Sequence, residues 1–251
     1  MIGCIIQARL NSSRLPGKIM MKIDNEKSVL DYVINQLKFC KHIDKIVIAT
    51  TTSVYDDILV EYAKSHHLDF FQGNEIDVLD RYYKCAKSFS FDTIVRVTSD
   101  CPLVDPNVVD ELIEQFQKGD FDYATNKLPL ESSKCPHGSE VEVFSFETLK
   151  RTWEESKKSS EREHVTPYIY NSSDKFKICK MSSKEDLSYM RYTVDRPKDL
   201  VMIQEITARI KTRPILTKDI VQLFNEVPQL LGINSEYQRN EGYLRSLRDE
   251  K

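Results

Sequence analysis

Ile2-Gly3-Cys4-Ile5-Ile6-Gln7-Ala8, followed directly by Arg9-Leu10-Asn11-Ser12-Ser13-Arg14-Leu15-Pro16-Gly17-Lys18, is the stretch from which the architecture can be read. A short apolar run gives way to a polar segment with Pro and Gly, the signature of a buried strand entering a loop. Ser28 then opens a helical pattern, with Asp31 three residues on as a reciprocal cap. Val29, Leu30, Val33, Ile34 and Leu37 fall on one helical face. Ile46-Val47-Ile48-Ala49, inside 45–51, is a continuous apolar run of the kind found in buried parallel strands. The alternation continues with a helix over 56–66, a strand over 68–71, a helix over 77–89 and a strand over 93–97. Asp105 and Pro106 read as the N-cap and first position of a helix over 106–117. Strand–helix alternation predicts a mostly parallel sheet covered on both faces, with ligands outside the carboxyl ends of its strands. The loops 9–18 and 98–105 fall at that place.

The second half is less regular. Strands are predicted over 140–145, 176–181 and 190–195. Helices are predicted over 146–156, 162–170, 197–210 and 217–225, and the charged tail from Ser235 is expected to fray. Neither an internal repeat nor a linker divides the chain, so one domain is expected over 1–251. Within it, about 120–195 reads as a subregion and 226–251 as a C-terminal tail.

The 36 Lys and Arg against 39 Asp and Glu give a net charge of −3. A weakly acidic chain has no global attraction for nucleic acid, so any anion it binds must be met by a local cluster. No apolar run approaches membrane-spanning length, and Met1–Ile6 does not read as a signal peptide. The six cysteines include no C-x-x-C pair, so reduced thiols in the cytoplasm are expected rather than zinc sites or a disulfide framework.

Three segments carry chemistry. In 9–18, Arg9, Arg14 and Lys18 suit phosphate oxygens, and Ser12 and Ser13 add donors. A solvated basic loop is the plainer reading, but this loop sits where an α/β fold binds ligands. Ser12 stands where a P-loop needs its first Gly, and G-x-G-x-x-G is absent, so both of those phosphate motifs are disfavoured. In 96–106, Asp100 follows a predicted strand and has no helix to cap, whereas Asp105 does. In 191–199, Asp195 precedes Pro197: it either caps the next helix or shares a Mg²⁺ with Asp100, since Mg²⁺ takes one or two carboxylates plus phosphate oxygens. His66-His67 reads as a helix end and Trp153 as packing. Val141 and Val143 read as sheet core or dimer interface.

Taken together, these segments resemble the superfamily of CMP-KDO synthetases and acylneuraminate cytidylyltransferases, and most nearly its branch of spore-coat polysaccharide cytidylyltransferases. Residues 7–18 are similar to its opening R-x-x-S-x-R-x-P-x-K signature, and 96–106 to its R-V-T-G-D-C-P-L-x-D-P block, with Ser99 in place of Gly. Asp77–Tyr83, Arg162–Tyr168 and Tyr192–Asp199 resemble three further blocks, so the likeness runs to about residue 225. The resemblance implies a three-layer α/β nucleotidyltransferase, GT-A-like and Rossmann-like, with a small β-rich insertion near 120–195 for acceptor binding and dimerisation. It implies Arg9, Arg14 and Lys18 on the triphosphate of CTP, and Asp100 and Asp195 on Mg²⁺. Ala8, Arg81 and Ser99 would lie near the base or ribose. His137, Gly138, Glu140, Arg162, His164 and Tyr168 would line the acceptor side.

The implied reaction moves CMP from CTP onto a small anionic acceptor in a homodimer, with release of pyrophosphate. The branch favours a phosphorylated or phosphoramidate-bearing capsule precursor, such as L-glutamine phosphate, over an acid sugar such as KDO or a nonulosonate. Two rival classes are a sugar transferase and a non-catalytic nucleotide-binding module. The first would normally show D-x-D, which Asp100-Cys101-Pro102 is not. The second would have no reason to keep both carboxylates and all three loop cations.

Overall fold

The apolar runs of the first half become the centre of one sheet. In a computed structural model, which describes residues 1–250, the strands are β1 (Ile2–Gln7), β2 (Lys45–Thr51), β3 (Asp69–Gly73), β4 (Thr93–Thr98), β5 (Tyr123–Thr125), β6 (Glu142–Ser145) and β7 (Ile178–Lys180). Their order is β3-β2-β1-β4-β6-β5-β7. β1 is parallel to both β2 and β4, and β6 alone runs against its neighbours β4 and β5. Strands flank β1 on both edges and helices cover both faces, so Cys4, Ile5 and Ile6 are fully buried.

The helices of the first half are α1 (Val29–Leu37), α2 (Asp57–Ser65), α3 (Val78–Ser88) and α4 (Pro106–Lys118). Their starts follow the sequence signals. Ser28 and Asp31 form the reciprocal cap of α1, and the Asp77 and Asp105 carboxylates accept the Asp80 and Asn107 N–H groups at 2.9 Å. α1, α2 and α4 pack Leu30, Leu59 and Ile113 against Ile6, Ile48 and Val95 on one face. α3 and α5 (Phe146–Glu155) pack Leu79, Tyr82 and Leu149 near Ile5, Val47 and Ile94 on the other.

The second half departs from expectation in four places. The helix predicted over 162–170 is two helices, α6 (Ser159–His164) and α7 (Pro167–Asn171), broken at Val165 with φ +72°. Val165 closes α6 in a positive-φ conformation, and α7 restarts with Thr166 as N-cap and Pro167 at its first position, where a missing N–H costs nothing. Residues 190–195 do not form a strand. They are extended, with one bridge from Arg191 to His137, and Met190, Tyr192 and Val194 point into a third core under α8 (Pro197–Arg209) and α9 (Thr217–Glu226). The expected strand is not formed, because pairing into a sheet is decided by tertiary contacts and not by the local sequence. Within 120–195, β5, β6 and β7 extend the main sheet instead of forming a β-rich insertion of their own, and α5, α6 and α7 accompany them. Val141 and Val143 are fully buried core residues. The tail does not simply fray: it ends in α10 (Glu241–Asp249). Among the described residues, no helix is long and apolar enough to cross a membrane.

Candidate active site

A cleft of about 320 Å³ opens at the carboxyl ends of β1 and β4, the place such sheets reserve for ligands. Eight Arg and Lys side chains line it against six Asp and Glu. In a chain of net charge −3, this is a local excess of positive charge, as anion binding requires.

The loop after β1 is folded back on itself. The Gly17 and Ser12 N–H groups both donate to the Leu10 carbonyl at 2.8 Å, and the Asp56 carboxylate accepts the Leu10 N–H at 2.7 Å. Gly17 has φ +70° with open space around its Cα. Its freedom from a Cβ therefore serves the left-handed turn, not a close backbone approach. The turn brings Arg14 and Lys18 to two carboxylates. Lys18 Nζ donates to Asp100 Oδ2 at 2.6 Å and to Asp195 Oδ1 at 2.7 Å, and Arg14 Nη2 donates to the same Asp195 oxygen at 2.5 Å.

Asp100 and Asp195 meet because the Val194 N–H donates to the Asp100 carbonyl at 2.8 Å, with Thr193 Oγ1 on that carbonyl at 3.2 Å. Neither carboxylate caps a helix. The cap of α8 is Asp199, which accepts the Asp195 and Arg196 N–H groups at 3.0 Å and holds Arg191 at 2.8 Å through both oxygens. Burial pushes the Asp100 and Asp195 carboxyls up, but Lys18 outweighs it and both stay below the usual carboxylate range. Lys18 is itself 8% exposed, and burial pulls its ammonium down less than the two carboxylates raise it.

Two ionised carboxylates sharing one cation suit a hard divalent ion whose remaining ligands are phosphate oxygens and water. Among the described residues there is no cluster of three or more His, Cys, Asp or Glu side chains such as a zinc site uses. Arg14, Arg81 and Arg96 each keep a buried Nε without a partner. Guanidinium groups gathered around a cationic cleft fit an anionic ligand.

A family model described as cytidylyltransferase matches residues 3–239. The chain belongs to the cytidylyltransferase family. An uncharacterised protein of Methanocaldococcus jannaschii is 35% identical over 233 residues, covering 92% of this chain and 93% of that protein. The spore coat polysaccharide biosynthesis protein SpsF of Bacillus subtilis is 30% identical over 234 residues, covering 89% and 94%. The solved structure of a cytidylyltransferase from Leptospira borgpetersenii superposes with a TM-score of 0.88 at 28% identity, covering 94% of this chain and 99% of that one.

In this cytidylyltransferase the cleft gathers Ala8, Arg9, Ser12, Ser13, Arg14, Lys18, Arg81, Ser99, Asp100 and Asp195, with His137, Glu140 and His164 toward its other end. His137 Nδ1 faces Arg191 Nη1 at 2.6 Å. Arg can only donate, so Nδ1 accepts and the ring proton sits on Nε2. Burial keeps His137 below its ordinary value.

Three residues expected on the acceptor side are elsewhere. Arg162 ties α6 to the start of α3, donating to Asp77 at 2.6 Å and to the Trp153 and Ser156 carbonyls. Tyr168 donates to Glu155 at 2.5 Å and packs on Phe176, outside the cleft. Gly138 (φ +105°) presses on the 192–193 backbone, where a Cβ would come within 2.4 Å of the Thr193 nitrogen. The family block that contains Arg162 and Tyr168 reflects scaffolding as readily as contact with substrate. Trp153 is packing, as expected, stacked on Tyr83.

The cleft also contains residues without a sequence signal. Glu142, 3% exposed in its side chain, accepts from four groups: Arg96, Lys127 at 2.7 Å, Tyr123 at 2.5 Å and Thr166 at 2.6 Å. Burial raises its carboxyl, but Lys127 and Arg96 pull it down to about 2. Two cations on one carboxylate leave a net positive charge at the floor of the cleft. Arg96 opens the 96–106 block but was given no role of its own there, and Lys127 lies between predicted elements. Arg239 and Arg245 come from the tail.

Proposed function

We propose that the chain transfers CMP from CTP to a small acceptor that already carries a phosphate-type oxyanion. The observation that supports this best is the meeting of Arg14 and Lys18 with Asp100 and Asp195 at the head of a cationic cleft. The acceptor oxygen bonds to the α-phosphorus of CTP, the bond from that phosphorus to the β-phosphate oxygen breaks, and pyrophosphate leaves with the electron pair. Arg9, Arg14 and Lys18 hold the triphosphate and neutralise the charge that builds on the leaving group. Asp100 and Asp195 hold Mg²⁺, which supplies further neutralisation of the phosphate oxygens. Ala8, Arg81 and Ser99 border the base or ribose. The remaining part of the cleft, with His137, Glu140, His164, Arg96 and Lys127, receives the acceptor.

The titratable groups favour an acceptor that needs no base. A phosphate monoester is ionised at neutral pH, whereas a sugar hydroxyl must lose a proton. Five of the six cleft carboxylates are paired with Arg or Lys: Asp100 and Asp195 by Lys18, Glu142 by Arg96 and Lys127, Glu140 by Arg239 at 2.8 Å, and Glu241 by Arg196 at 2.6 Å. Burial pulls His164 down to about 4. Asp100, Asp195, Glu142 and His164 are all held below the neutral range in which an efficient general base titrates. A phosphorylated or phosphoramidate-bearing surface-polysaccharide precursor, L-glutamine phosphate among them, fits this inventory. A homodimer belongs to the same proposal on the strength of the family resemblance, with an interface other than Val141 and Val143.

The test is pyrophosphate release from CTP, UTP, ATP and GTP against a panel of phosphorylated acceptors and acid sugars, with Mg²⁺. Turnover with CTP and a phosphorylated acceptor is expected. Turnover only with KDO or a nonulosonate would replace the acceptor assignment, and equal use of ATP or UTP would overturn the nucleotide.

A further inference from the structure

α10 lies beyond residue 239, where the family match ends, yet its first turn lines the cleft. None of its nine residues is buried. It is held at both sides of the cleft mainly by polar contacts, with one aromatic edge contact from Tyr243 to His164. On the side of the nucleotide loop, Glu241 pairs with Arg196 at 2.6 Å, and Arg245 Nη1 donates to Ser13 Oγ at 3.2 Å. The Gly242 backbone sits against Arg14 so closely that a Cβ there would be 3.4 Å from Nη1. On the far side, Ser246 Oγ donates to Glu163 at 2.7 Å and meets His164 Nε2 at 3.0 Å, while Glu250 accepts the Ser160 N–H at 2.5 Å.

The helix thus bridges the two rims of the cleft, and its polar anchors are individually weak. Exposed ion pairs contribute about 0–1 kcal/mol each. An element with no buried side chain opens locally at low cost. Its contacts on the loop side are with Ser13 and Arg14, residues assigned to the triphosphate, and Arg14 keeps a buried Nε unpaired beside it.

We propose that α10 is a lid that closes over the bound nucleotide and that Arg245 is a further triphosphate-binding residue, delivered by the lid. The proposal rests on the reading of the cleft as a CTP site. Arg245 exchanges its Ser13 hydroxyl partner for a phosphate oxygen, a stronger charge-assisted contact. The lid then shields the reacting phosphorus from water, which would otherwise compete with the acceptor.

The test uses the full chain with CTP and Mg²⁺, read by amide hydrogen exchange over 241–250 and by calorimetric affinity. CTP is expected to slow exchange in α10. Arg245→Ala is expected to weaken CTP binding by roughly ten-fold or more, with Arg245→Lys recovering part of it. Arg248→Ala, on the same helix but outside the cleft, should bind as the parent chain does. A chain ending at Asn240 should melt within a few degrees of the parent and bind CTP as weakly as Arg245→Ala. Unchanged exchange in α10 on CTP binding, or parental affinity in Arg245→Ala, overturns the lid while leaving the CTP site standing. A full chain that binds no CTP overturns both.

Discussion

At one end of the cleft, Arg9, Arg14 and Lys18 come from a single ten-residue loop; at the other, Arg96 and Lys127 come from a strand and from a loop remote from it in sequence. Arg14 and Lys18 are paired with carboxylates that they share: one Lys18 ammonium serves both Asp100 and Asp195, and Arg14 meets Asp195 as well. The second is built around Glu142, whose oxygens are saturated by four donors in the interior. A shared, partly accessible pairing can be exchanged for a metal and phosphate. A saturated buried one cannot be exchanged without leaving charges unpaired. The loop end is therefore where chemistry is expected, and the Glu142 end is scaffold for it.

The sharpest way to break that contrast is at the carboxylates. Asp100→Asn and Asp195→Asn should each lower turnover by roughly a thousand-fold. The double variant should be scarcely worse than either, because the two act as a unit. Melting temperatures should fall only modestly, since each single variant still leaves Lys18 one carboxylate partner. Near-normal turnover in either single variant would remove that residue from the site.

Glu142→Gln should do the reverse, acting mainly on stability. It leaves Arg96 and Lys127 facing each other with no countercharge, a loss of about 3–5 kcal/mol by analogy with broken buried pairs. Denaturant unfolding measures it, and an unchanged midpoint would show that Glu142 is not the keystone of that end.

Arg14→Ala should lower turnover by roughly a hundred-fold. Lys18→Ala should do the same, but the buried position of Lys18 changes the expectation for folding. Without its ammonium the two carboxylates repel, so the variant should melt lower than the parent, and Mg²⁺ should restore part of the loss. A variant as stable as the parent without Mg²⁺ would mean that the Lys18 bridge is not formed in solution.

The pH response separates the ends more gently. His164 is held near 4, below the ordinary histidine value of about 6.5, so the unfolded chain binds its proton first. Its contribution is intact above about pH 6.5 and is lost as the pH falls toward 4. Glu142, held near 2, contributes fully above its unfolded value of about 4.3 and is lost between there and 2. Melting temperature followed from pH 7 to 3 should fall throughout, and His164→Gln should flatten the upper part only. The smallest effect is expected at Tyr168→Phe, which should leave kcat and KM near parental because its hydroxyl meets Glu155 outside the cleft. A large KM change there would restore Tyr168 to the acceptor side.

How far the sequence reached follows the same division. The strands and caps of the first half were legible because each is declared by neighbouring residues: Ser28 with Asp31, Asp105 with Pro106, and the apolar run 46–49. The phosphate loop was legible for the same reason, since its cations lie within ten positions and the strand before it fixes their place in an α/β fold. The choice between cap and ligand for Asp195 was not legible, because Asp199 could be seen as the true cap only once α8 was built. Arg96 was visible as the first residue of a family block and Lys127 only as a loop residue, but their shared partner appeared only when the antiparallel β6 carried Glu142 between them. Arg162 and Tyr168 were drawn to the site by their motif, although their partners, Asp77 and Glu155, turn them away from it. The sequence by itself determined the parallel core, the loop and the chemistry of its charges, because those depend on periodicity and local spacing. Only the tertiary structure decided which distant residues share a carboxylate and that the tail crosses the cleft, because contacts between remote segments are set by packing and leave no local pattern in the chain.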